Sequence, residues 1–202
     1  SGMGHLLSFT GSDTIPSTSA LQYYYPEKNG QKILVGASVP ATEHSVMCAG
    51  SKENELETYR RLLKIYPKGI LSVVSDTWDL WKVLTEILPA LKDEIMARDG
   101  KLTVRPDSGD PANILCGDPF APEGSPAYKG VIECLWDVFG GTRNTKNYKV
   151  LDPHIGCIYG DAILYKTAED IMTRLAAKGF ASTNIVFGMG SFTYQFVTRD
   201  TL

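Results

Sequence analysis

Arg105, Asp107 and Ser108 lie between Pro106 and Gly109, directly after the apolar run Leu102-Thr103-Val104. A guanidinium and a carboxylate are thereby set close together in a turn that proline stiffens and glycine permits. That pairing suits a ligand carrying both hydroxyls and negative charge. The same design recurs along the chain. Asp13 follows the apolar stretch 6–9, Glu43 and His44 follow 33–39, Asp76 follows 70–75, and Gly160-Asp161 follows 154–159. Last comes Gly188-Met189-Gly190-Ser191 after 184–187, with Arg199 further on.

Each position has its own chemistry. His44 beside a carboxylate can serve as general base, phosphate ligand or phospho-acceptor, with Glu43 placed to set its tautomer. Asp107 and Asp161 can accept hydrogen bonds from sugar hydroxyls, although a carboxylate after a strand also serves as a helix cap. Asp76 and Asp107 together suit Mg²⁺, which takes one or two carboxylates plus phosphate oxygens and water. A Gly-rich turn opening a helix offers N–H groups to phosphate, which Arg199 would reinforce if it faces the same way. His5 and His154 lack a comparable setting and read as structural.

The elements that must carry these residues alternate. Apolar runs at 33–39, 70–75, 102–104, 154–159 and 184–187 read as strands, and 6–9 as a further short one. Helical spacing covers 17–25, 53–66, 78–97, 131–139 and 167–177, with Thr167 as a cap and Pro89 expected to kink or divide its helix. The Pro- and Gly-rich stretch 117–130 reads as a long functional or mobile loop. Repeated strand–helix units predict α/β architecture with a parallel sheet or (βα) barrel, whose strand C-termini converge on one mouth. No G-x-G-x-x-G follows a first strand, which disfavours a dinucleotide-binding domain.

Composition sets the outer bounds. The 202 residues carry a net charge of −3, with 21% charged and 43% hydrophobic side chains, so there is no basic footprint for nucleic acid. No apolar run approaches a membrane span. Cys48, Cys116, Cys134 and Cys157 show no C-x-x-C spacing, which predicts reduced thiols and a cytoplasmic protein. An opening at Ser1-Gly2 and a close inside a helix-like run point to part of a longer chain.

Six segments together resemble the nicotinamide phosphoribosyltransferase family, in family order across nearly the whole sequence. They are Ser12-Asp13-Thr14, Ser38-Val39-Pro40-Ala41-Thr42-Glu43-His44-Ser45, Ser72-Val73-Val74-Ser75-Asp76, Val104-Arg105-Pro106-Asp107-Ser108-Gly109, Tyr159-Gly160-Asp161, and Phe187-Gly188 with Thr198-Arg199-Asp200. The resemblance implies a partial (βα) barrel of the type II phosphoribosyltransferase kind, the single catalytic-barrel portion of a longer homodimeric enzyme of NAD biosynthesis. It implies transfer of phosphoribosyl from phosphoribosyl pyrophosphate to nicotinamide, with Mg²⁺, and with ATP as a co-substrate that phosphorylates His44. On the same footing Asp13 would meet the nicotinamide amide, and Ser72 and Arg105 the base pocket. Arg105 would also approach the pyrophosphate. Asp107, Gly160 and Asp161 would meet the ribose, and Ser191 and Arg199 the nucleotide phosphate, with Pro106 and Gly190 in the same binding set. Ser191 stands where the family usually has glycine. The family's ring-sandwiching aromatics would lie upstream, one of them from the partner subunit. Two other readings remain, a nicotinate phosphoribosyltransferase and a non-catalytic nucleotide-binding barrel fragment.

Overall fold

The structure, a computed structural model, describes residues 2–25 and 36–190. The chain divides into two compact units, residues 1–39 with 194–202, and residues 40–193.

In the smaller unit, helix α1 (Gly2–Leu6) is followed by helix α2 (Ile15–Tyr24). The expected strand at 6–9 is absent. Leu7 and Phe9 instead bond back to Gly4 and His5, and the His5 ring stacks on Phe9 at 4.8 Å. Four residues without a neighbouring ladder gain more from these local bonds than from extension. Pro16 sits in the first turn of α2, where its missing N–H costs nothing. Gly11 pairs with Ala37 in an isolated parallel bridge. The Asn29-Gly30 turn and residues 33–35 of the expected strand lie outside the described residues.

The larger unit begins with two helices, α3 (His44–Ala49) and α4 (Glu55–Ile65). Strand β1 (Lys68–Val74) leads into α5 (Leu80–Lys82), a π-helical turn at Val83–Ile87, α6 (Leu88–Ala90) and α7 (Lys92–Met96). Then come β2 (Asp99–Arg105), α8 (Pro111–Cys116), α9 (Pro126–Lys129) and α10 (Val131–Phe139). The hairpin of β3 (Gly141–Arg143) and β4 (Lys149–Leu151) precedes β5 (Ile155–Tyr159), α11 (Tyr165–Ala177) and β6 (Ile185–Phe187).

Four strands form one parallel sheet in the order β1-β2-β5-β6. Residues 40–42 run beside β1, with Ser72 N donating to Pro40 O at 2.9 Å and Thr42 N donating to Ser72 O at 3.0 Å. Alternation along the strands puts Leu71, Val73, Leu102, Val104, Ile155 and Cys157 on one face, all at most 2% exposed. They belong to one core with Leu84, Leu115, Ile132, Leu135, Ile171 and Leu175 from the helices. Each such side chain contributes roughly 1.5–3 kcal/mol by leaving water. Ser72, Thr103 and Gly156 share a register row on the opposite face.

Several local expectations are sharpened. The helical run at 78–97 is divided, one of the two outcomes expected of Pro89. Leu88 N reaches back to Val83 O in the π turn, Pro89 occupies the first turn of α6, and Leu91 interrupts the run before α7. The 117–130 stretch is a loop over 117–125 and ends in a short helix. That helix is α9, capped by Ser125 Oγ accepting from Tyr128 N, and Asp118 N donates to Ala127 O at 2.8 Å. The Arg174 guanidinium donates to Gly117 O, and Phe120 at the tip is 95% exposed. Helix α11 starts before Thr167, at a Leu164 cap position without a side-chain bond. All four cysteines are free, three of them buried.

Candidate functional site

Parallel strands all end at the same edge of a sheet, so the residues following β1, β2, β5 and β6 are brought to one side by topology alone. On that side Asp76 follows β1, directly beyond Ser75. Its Oδ2 accepts from Asp107 N at 2.8 Å and from Ser108 Oγ at 2.5 Å. Its Oδ1 stands 3.3 Å from His44 Nε2, on a side chain only 6% exposed. The turn after β2 and the first residue of α3 thus close on one buried carboxylate from two directions.

His44 is the first residue of α3, and its side chain is 44% exposed. The residue before it is held extended by the 40–42 bridge, with Thr42 Oγ1 accepting from Val74 N at 3.0 Å. Glu43 was expected to orient His44, but it pairs with Arg105 Nη2 at 3.0 Å instead. The two side chains leave the chain in different directions because Glu43 is the extended N-cap residue and His44 is already helical. The carboxylate at His44 is Asp76.

Arg105 is mostly covered, and its Nε is buried with no hydrogen-bond partner among the described residues. Asp76 Oδ1 and Thr77 Oγ1 are buried without a hydrogen bond among the described residues as well. Orphaned donors and acceptors are rare inside proteins unless a ligand or water completes them. Asp107 is half-buried, and burial raises its carboxyl above the usual range. Asp76 and Asp161 push the same way, while Arg105 and His44 oppose them. Pro106 is buried. Ser72, 5% exposed, lies in the β1 row that also pairs with 40–42.

The β5 and β6 ends are built differently. Gly188 N donates to Tyr159 O at 2.9 Å, and a Cβ on Gly188 would fall 2.7 Å from Gly160 Cα. The two backbones therefore touch, and only glycine fits at Gly188. Asp161 is exposed, and Ala162 follows it with φ +50, in the sparsely populated left-handed region. Gly190 is exposed at the end of the described chain, while Ser191 and Arg199 lie outside the described residues.

Asp13 belongs to the smaller unit, where its Oδ1 accepts from Ser38 Oγ at 2.5 Å. Sequence reasoning did not single out Ser38 or Ser108 as partners of these carboxylates. Both stand inside the motifs, and a hydroxyl near a strand-end acid is the signal that was available. His154 does have a carboxylate, Asp152 Oδ1 at 2.7 Å from Nδ1, but it precedes β5 and so lies at the other end of that strand.

Among the described residues no three His, Cys, Asp or Glu side chains gather into a metal cage. The pair that does come together, Asp76 and Asp107, is the number of carboxylates Mg²⁺ draws on when phosphate oxygens and water complete its shell. The unbonded Asp76 Oδ1 fits that use.

Residues 2–202 match the nicotinate phosphoribosyltransferase (NAPRTase) family. The chain belongs to this family. Relatives named nicotinamide phosphoribosyltransferase are similar throughout. The Acinetobacter baylyi protein is 53% identical over 100% of this chain and 40% of its own length. The Mycoplasma pneumoniae protein is 46% identical over 98% of the chain and 41% of its own length. A protein from Xanthomonas campestris pv. campestris is 34% identical over 99% of the chain and 39% of its own. The chain thus spans about two fifths of the length of these relatives. Family membership carries the type II phosphoribosyltransferase fold class, and the parallel α/β sheet agrees with it. No helix among the described residues is long and apolar enough to cross a membrane.

Proposed function

We propose that this chain supplies the phosphoribosyl-transfer site of a nicotinamide phosphoribosyltransferase acting in NAD biosynthesis. The reading rests most directly on the convergence of His44, Asp76, Arg105 and Asp107 at one sheet edge, with Arg105 Nε and Asp76 Oδ1 left without hydrogen bonds. The names of the similar proteins support the substrate.

In this reaction the ribose C1–pyrophosphate bond breaks as the nicotinamide ring nitrogen bonds to C1, releasing pyrophosphate. Positive charge grows on the sugar and negative charge on the leaving group. Arg105 meets the departing phosphates and, with Ser72 and Pro106, walls the base pocket. The Asp107 carboxylate and Asp161 accept from ribose hydroxyls, and the Gly160–Gly188 contact sets the floor beside them. Gly190, Ser191 and Arg199 receive the nucleotide phosphate. Asp76 and Asp107 would hold Mg²⁺, which when bound neutralises phosphate charge. Fixed charges of this kind stabilise charge separation without reorganising.

His44, partly exposed and set beside Asp76, accepts a phosphoryl group from ATP, which couples ATP hydrolysis to synthesis. Asp13 accepts from the nicotinamide amide, and its charge opposes the carboxylate of nicotinic acid, which separates this reading from a nicotinate enzyme. The enzyme acts as a homodimer. The test is acid-labile label on the protein from γ-labelled ATP, together with mononucleotide formation from nicotinamide in competition with nicotinic acid. His44→Ala should abolish the label and the ATP stimulation. Label retained in that variant would remove His44 from the role, and a preference for nicotinic acid would favour the nicotinate reading.

A further inference from the structure

We propose that two buried tyrosines, Tyr59 and Tyr159, are positioning residues that hold the two arms of the clamp around Asp76. The proposal rests on the transfer-site reading above.

One arm is the end of β1. Tyr59, on α4 and 1% exposed, donates its hydroxyl to Ser75 Oγ at 2.9 Å. Ser75 is fully buried. Its Oγ donates to Val73 O at 2.7 Å and its N donates to Arg105 O at 2.9 Å. The residue immediately before Asp76 is thus fixed to α4, to its own strand and to β2. The other arm is the turn that carries the donors. Tyr159, on β5 and 0% exposed, donates its hydroxyl to Gly109 O at 3.0 Å. Gly109 has φ +88 and closes the turn in which Asp107 N and Ser108 Oγ grip Asp76 Oδ2.

Burial raises both phenols far above their ordinary range, and the acids around Tyr159 add to this, so each remains a hydrogen-bond donor at neutral pH. Their hydroxyls end on Ser75 Oγ and Gly109 O, so the two tyrosines act on Asp76 through Ser75 and the backbone of the turn. Phenylalanine would fill the same core volume. The hydroxyl adds only its bond, and both bonds fall at points that fix the position of one carboxylate relative to its donors. A loose clamp would let Asp76 and Asp107 drift, and misplacement on the order of 1 Å at a catalytic group costs on the order of a hundredfold in rate.

The experiment uses Tyr59→Phe and Tyr159→Phe, alone and combined with Asp76→Asn, in the protein that carries this chain. The readouts are kcat and KM for both substrates, the melting temperature, and hydrogen exchange at the Asp107 amide. Each phenylalanine should lower kcat of the folded protein about tenfold with little change in KM for nicotinamide, the size of one lost hydrogen bond to the site. Tyr159→Phe should also speed exchange at the Asp107 amide by a similar factor. In the Asp76→Asn background neither should add a further loss in kcat, because coupled residues are non-additive. Lower melting temperature with unchanged kcat, or losses that multiply with Asp76→Asn, would overturn the proposal. If Tyr159→Phe does not fold, Ser108→Ala loosens the same grip from an exposed position and should give the same loss in kcat; an unchanged kcat there overturns it. Should wild-type protein transfer no phosphoribosyl group, the transfer reading fails, and the Asp107 exchange rate still decides whether Tyr159 holds the turn.

Discussion

Asp76 and Glu55 are both buried carboxylates in the larger unit, and they differ in what surrounds them. Asp76 receives a backbone N–H and a hydroxyl from the turn after β2, and His44 stands beside its other oxygen. Two separate segments of chain close on it. Glu55, at the start of α4, is 3% exposed, and its Oε1 has no hydrogen-bond partner among the described residues. It borders a cavity of about 220 Å³ with Lys52, Lys82, Glu53 and Glu86. Burial pushes its carboxyl up to about 6, with Lys82 and Lys52 only partly offsetting this. Burial alone makes a costly carboxylate; two donors from the turn after β2, with His44 opposite them, make an organised one.

That contrast breaks most sharply at Asp76. Asp76→Asn, which keeps the size and removes the charge, should lower kcat for mononucleotide formation by about 10²–10³, the scale of one preorganised electrostatic contact. Steady-state kinetics at matched folded fraction would show it. Next comes Gly188→Ala. Its Cβ would fall 2.7 Å from Gly160 Cα, so the β5 and β6 ends must separate. Overpacking of this kind costs about 1–3 kcal/mol and should lower the melting temperature by several degrees, with KM for phosphoribosyl pyrophosphate rising. Glu55→Gln should give the smallest change and the opposite sign in stability. The folded-state value of Glu55 lies above its ordinary 4.5, so the wild-type contribution is fully present below about 4.5 and lost as pH rises through about 6. The glutamine variant should therefore melt about 2–4 °C higher than wild type above that window, with the gap closing below it and kcat unchanged.

The strand pattern was legible because buried parallel strands read as short, mostly apolar runs, as Ile70 to Val74 and Ile155 to Ile158 do. The convergence of their ends followed from the fold class. Partners within the site were not legible. Whether Glu43 or Asp76 reaches His44 depends on where α3 begins, a boundary of a single residue that sequence patterns do not resolve. The run at 6–9 misled because apolar content says nothing about whether a neighbouring strand exists to pair with. Pro89 signalled a break, and the π turn that accommodates it left no separate mark in the sequence. The bonds from Tyr59 and Tyr159 were hidden for another reason. A buried tyrosine and a buried phenylalanine give the same periodicity, and only the folded structure shows that the hydroxyl has an acceptor.

The most direct test is transfer by the protein carrying this chain, wild type against Arg105→Ala, with nicotinamide and phosphoribosyl pyrophosphate as substrates. The strand-end site predicts that wild type forms nicotinamide mononucleotide and pyrophosphate, and that Arg105→Ala loses about 10³-fold in kcat/KM while remaining folded. Equal rates from the two proteins would contradict it.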